Sequence, residues 1–119
     1  MCFPPPPWAR TLTGMPALSS SVPTLTLAGA EAVVAAARAR ADSLGLGVCI
    51  CVTDRSGSPI MTIRMDDAPL LSSGIAADKA FTVASFKGLP TDAWWGAIEN
   101  EPALVHGITH TPRLTIFGG

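Results

Sequence analysis

Apolar positions recur at helical spacing from Leu27 to Leu44, where Leu27, Ala30, Val33, Val34, Ala37, Ala41 and Leu44 fall three or four apart. Thr26 suits the N-cap, Glu31 lies near the positive end, and Arg38 and Arg40 lie toward the negative end. Gly45 is placed to end the helix. Val48 to Thr53 is apolar on both faces, the pattern of a buried central strand. Asp54-Arg55-Ser56-Gly57 has turn composition, and Ile60 to Met65 returns as a second strand, giving a hairpin. Pro59 is tolerated at the head of that strand.

Asp66-Asp67-Ala68-Pro69 breaks the strand. A second helix is predicted from Ser72 or Ser73, capped by a serine, to Phe86, with Gly88 ending it. Ile75, Ala76, Ala80, Val83 and Ala84 make it apolar on several sides, so it is predicted to be buried. A shorter helix follows Pro90, with Thr91 as N-cap and Trp94, Trp95 and Ile98 as its apolar side. The two tryptophans diverge by ~100° on a helix, so one belongs to the core and the other to an interface. Asn100-Glu101-Pro102 stops this helix, residues 103–112 are predicted irregular, and Leu114 to Phe117 reads as a third strand. Gly118-Gly119 is a hairpin signal with no strand after it, which leaves an unpaired edge. Physical reasoning alone therefore suggests a partial domain, or one completed by a partner.

Residues 1–23, with prolines 4 to 7 and Ser19 to Ser21, read as a disordered Pro/Ser-rich leader. Residues 24–119 form the domain. Charged residues make up 14% of the chain, against a typical share of about a quarter. So few charges imply a small exposed surface, and hence a multimer or a face buried on a partner. The net charge is −1 and Lys and Arg do not cluster, which argues against nucleic acid. No apolar run reaches the roughly 18–20 residues that span a bilayer. The start of the chain lacks the basic and apolar regions of a secretory signal, so the cytoplasm is the default compartment.

The candidate chemistry is sparse. Cys49 and Cys51 point to one strand face, and their Cα atoms lie about 6.6 Å apart in an extended strand, which strains a disulfide. No second Cys/His pair at metal spacing accompanies them, so they read as buried free thiols. Lys79, beside Asp78, is the one cation of the second helix. It either binds an anionic ligand or pairs with an acid such as Asp66 or Asp67, and ion pairing is the commoner case. Arg64, Asp66 and Asp67 either rim a pocket near Lys79 or form a solvated turn. His106 and His110 have the i, i+4 spacing of a helical metal pair, but Gly107 and Pro112 argue against a helix there. A single imidazole still suffices as a haem iron ligand. No GxSxG, P-loop, GxGxxG or CxxC motif is present.

Four stretches, in order, resemble the GlcG/HbpS-like haem-binding family, which also supplies the C-terminal domain of PduO-type cobalamin adenosyltransferases. They are TLTLAGAEAVVAAARARADSLG, VCICVTDRSGSPIMTIRMDDAP, LLSSGIAADKAFTVASF and TPRLTIFGG. The resemblance implies an α/β (α+β) fold, with an antiparallel sheet flanked by helices in a single domain. Family members continue past the double glycine with a strand pair and a closing helix, so this domain is expected to lack them. The resemblance implies a homo-oligomer that binds a small molecule, with haem as the cofactor. Arg64, Asp78 and Lys79 align with the family motif, and His106 and His110 are the available imidazoles; the family's first-helix histidine has no counterpart between Leu27 and Leu44. A haem- or tetrapyrrole-binding module leads. An accessory domain or small enzyme of an organic-acid or corrinoid pathway, and a fragment without a site or completed by a partner, are the alternatives.

Overall fold

The structure is a computed structural model that describes residues 2–4, 6–7 and 16–118. Much of the expected leader, residues 1, 5 and 8–15, lies outside the described residues. Residues 19–26 run without helix or strand up to α1, Leu27–Ser43. Thr26 caps α1, its hydroxyl accepting the Gly29 N–H at 3.1 Å. The far end closes as a paired C-terminal cap. Gly45 takes φ 67° and donates to Asp42 O, while Leu46 donates to Ala41 O. Only Ala30, Val34 and Ala41 are buried on α1; Leu27, Val33 and Leu44 remain exposed.

The expected hairpin forms. Strand β1, Cys49–Thr53, pairs antiparallel with β2, Pro59–Arg64, with Ile50 opposite Ile63 and Cys51 opposite Thr62. The Asp54 carboxylate organises the turn by accepting the N–H of Ser56 at 2.8 Å and of Ser58 at 3.1 Å. After the hairpin the chain passes close to Gly47, where an added Cβ would lie 2.8 Å from the Asp67 carbonyl carbon. Only glycine permits that approach.

Helix α2, Leu71–Ser85, lies mainly on β1, while α1 packs across both strands and the two helices do not meet. Cys49 Sγ lies 3.4 Å from Ser73 Oγ of α2. Strand alternation then turns Cys49 and Cys51 toward α2, and Ile50 and Val52 toward the opposite face. A short 3-10 turn, Thr91–Ala93, leads into α3, Trp94–Ile98, and then α4, Pro102–Ile108. Trp94 and Ile98 are buried, whereas Trp95 is exposed, so the tryptophans do diverge. The mixed helix-and-strand class and flanked antiparallel sheet match the sequence expectation.

Four local expectations require correction. Helix α2 starts at Leu71 with no side-chain cap, because the cap position is Leu70, which has no polar side-chain atom, while Ser72 and Ser73 fall inside the first turn. The same helix is half-buried rather than enclosed: Thr82 is its one fully buried residue, since the hairpin covers it from one side. Residues 103–112 are not irregular throughout. Pro102 takes the first turn of α4, where its missing N–H costs nothing, and Pro112 lies beyond the helix end. Leu114 to Phe117 forms no ladder, because Thr115 gives its N–H to the Thr82 hydroxyl at 2.9 Å.

Candidate functional site

A concave feature follows from the two-stranded sheet. Met65 N–H donates to Val48 O, so Val48 and, by alternation, Ile50 and Val52 direct their backbone groups to β2. Cys49 and Cys51 therefore turn theirs to the open edge of β1. A cleft of about 1300 Å³ runs along this edge. Its walls are Cys49 and Cys51 of β1, Ala76, Lys79, Ala80 and Val83 of α2, with Thr24, Leu25 and Val33 opposite. Ala76, Ala80 and Ala84 recur every four residues along α2, and their small side chains leave the space open.

Lys79 is the α2 cation on this cleft, whose lining also includes Asp54, Arg55 and Lys87. Its ammonium lies 4.9 Å from the Phe117 ring centroid, within cation–π range. Neither ion pair among the described residues includes Lys79, and the pairing expected with Asp66 or Asp67 does not form. Its neighbour Asp78 points elsewhere and accepts Arg113 Nε at 3.0 Å. The Arg113 guanidinium also stacks 4.0 Å over the Phe81 ring. The role of Arg113 was not visible in the sequence, because it depends on where the C-terminal stretch docks.

Cys49 and Cys51 are free thiols, half-buried rather than fully enclosed as expected. Cys51 Sγ accepts the Thr62 hydroxyl at 3.4 Å. Together they are the soft donors on the cleft wall.

Arg64 does not line this cleft. It belongs to a second hollow of about 590 Å³ with Arg38, Asp42, Gly47, Asp66 and Asp67. That hollow mixes both charge signs at its rim, and its Arg38–Asp42 contact is a solvent-exposed pair at 4.0 Å. His106 and His110 line neither hollow. They sit together at the end of α4, with ring centroids 5.4 Å apart. The five expected site residues thus occupy four places: Lys79 in the cleft, Asp78 on the Arg113 clamp, Arg64 in the second hollow and the histidine pair on α4.

The cleft's apolar walls, small alanines and flanking lysine suit a flat, largely apolar molecule with an anionic edge. The model of the family described as haem degrading protein, HbpS-like, matches residues 25–119. The chain belongs to the HbpS-like family. Among solved structures, Klebsiella pneumoniae protein ORFY, of the DUF336 family, shares 32% identity. The match covers 89% of this chain and 73% of that protein, with a TM-score of 0.80. No curated protein matches the sequence. This HbpS-like chain has no helix among the described residues long and apolar enough to cross a membrane.

Proposed function

We propose that this HbpS-like domain binds haem or a related tetrapyrrole in the cleft between β1 and α2. The observation that carries the reading is Lys79, a half-buried cation on the cleft wall that pairs with no carboxylate among the described residues. A tetrapyrrole carries carboxylates at one edge of an apolar ring, and Lys79 would neutralise that edge. Cys49 and Cys51 are the donors available on the wall, and cysteine thiolate is an established axial ligand of haem iron. Bound haem would supply an iron centre for redox or oxygen chemistry. This chain's residues would bind the ring, orient its charged edge and shield one face.

Hemin titration of the purified chain should give a saturable Soret shift. Lys79→Glu should weaken it by placing like charge against the carboxylates. The His106→Asn/His110→Asn double variant should leave it unchanged, because those rings lie outside the cleft. The reading fails if micromolar hemin produces no shift, or if Lys79→Glu binds as well as the parent.

A second reading concerns assembly. The open edge of β1 offers the backbone groups of Cys49 and Cys51, and Leu25, Val33 and Phe117 beside it are exposed. A second copy of this chain pairing there would satisfy those groups and bury the apolar rim. Light scattering after size exclusion should then give a dimer or larger species. A monomer at high micromolar concentration would rule this out.

A further inference from the structure

The end of α4 brings together a pair that the sequence argued against. His106 lies in the last turn of α4 and His110 just beyond it. The chain does not unwind between them. His110 N–H donates to Gly107 O and Thr111 N–H to Ile108 O, both at 3.1 Å, so helical turns continue past Ile108. Two hydroxyls bond the terminal carbonyls as well: Thr109 Oγ1 donates to His106 O at 2.7 Å, and Thr111 Oγ1 to Gly107 O at 3.3 Å. The main-chain bonds run from each residue to the third before it, so the last turn is 3-10 in type, and the two imidazoles are brought together there by ring contact rather than by α-helical spacing. The rings meet edge to face, with centroids 5.4 Å apart. Both residues are exposed, so rotation of their side chains is open to them.

We infer that His106 and His110 form a two-imidazole site for a borderline divalent transition-metal ion, with Cu²⁺ held more tightly than Zn²⁺. Imidazole suits these ions, and the order of preference follows the general ranking of divalent metals. One zinc ion at a bond length of about 2.0–2.1 Å requires its two ligating nitrogens within about 4 Å of each other. Rings already in contact reach that spacing by side-chain rotation alone. No group of three or more His, Cys, Asp or Glu forms a metal cluster among the described residues, so water would complete the coordination. The site would thus be open and exchangeable rather than structural. It is separate from the cleft and does not rest on haem binding.

The test is calorimetric titration of the untagged full-length chain with CuCl₂ and ZnCl₂, paired with electron paramagnetic resonance of the copper form. Cys2, Cys49 and Cys51 are replaced by serine to remove thiol binding. One ion should bind per chain, with nitrogen couplings from imidazole. Either His106→Asn or His110→Asn should weaken binding by about tenfold or more, a loss that even outer-shell substitutions cause at metal sites. His110→Asn combined with Thr111→His keeps two histidines but moves one a residue along the chain, away from the ring contact, and should bind as weakly as the single variants. Circular dichroism confirms that each variant keeps its helices. Absence of binding at micromolar metal, single variants equal to the parent, or a displaced pair as tight as the original would each overturn the assignment.

Discussion

The hydroxyl of Thr82 accepts the main-chain N–H of Thr115 at 2.9 Å, and this contact fixes where the C-terminal stretch lies. The same hydroxyl lies 2.8 Å from Asp78 O and 3.1 Å from Arg113 O, to which it donates. Arg113 answers with its bond to Asp78 and its stacking on Phe81. Phe117 then comes under the Lys79 ammonium. A segment with the composition of a strand is thereby held on a helix, beside the cleft rather than in it.

Replacing Thr82 with valine keeps the shape of the side chain and removes the hydroxyl. Thr115 is buried, so its N–H would lose its partner without gaining water. Leaving a buried donor unsatisfied costs about 1–3 kcal/mol. Urea unfolding should show a loss in that range for Thr82→Val, with Thr82→Ser retaining most of the stability. Limited proteolysis should cut after residue 110 earlier in the valine variant. Equal stability of the valine variant and the parent would mean that the C-terminal stretch is not held by this bond.

The Asp54 carboxyl is held below its ordinary value of about 3.8, first by the Ser56 hydroxyl and then by the turn N–H groups of Ser58, Ser56 and Gly57. The charged form is thus favoured in the folded hairpin. A carboxyl depressed on folding stabilises fully above its unfolded value, and that contribution fades as pH falls through the folded one. The parent chain should therefore lose stability below about pH 4 more steeply than Asp54→Asn. Thermal unfolding of both chains from pH 7 to pH 3 is the measurement. Parallel curves would show that Asp54 contributes no pH dependence.

The first helix and the hairpin were legible because their signals are local. Thr26, Gly45 and Asp54 each act on backbone groups within four residues, and the apolar period does the rest. The fate of Leu114 to Phe117 was not legible. Strand propensity describes a fit to a pleated surface and does not name the partner, and here Thr82 captures the first free N–H. Helix α4 was missed because Gly107 and Pro112 look like breakers, yet one sits in its last turn and the other past its end. Lys79 stands out in the sequence as the one cation of an apolar helix; in the structure it is half-buried on the cleft wall and pairs with no carboxylate among the described residues. The four-residue run of Ala76, Ala80 and Ala84 was the signal in the sequence that marked where that cleft would open.

Trp94 supplies the last test. It is 7% exposed, its ring centroid lies 4.6 Å from that of Phe86, and its indole nitrogen is buried with no hydrogen-bond partner among the described residues. Truncation to alanine should cost about 3–5 kcal/mol through lost packing and the cavity left behind. Phenylalanine keeps most of the apolar contact and deletes an unsatisfied donor whose burial costs about 1–3 kcal/mol. Trp94→Phe should therefore be close to neutral in urea unfolding while Trp94→Ala is strongly destabilised. If phenylalanine proves nearly as costly as alanine, the indole N–H has a partner in solution. A second copy of the chain or an ordered water would then be the group to find, and comparing the Trp94→Phe penalty at low and high protein concentration separates the two.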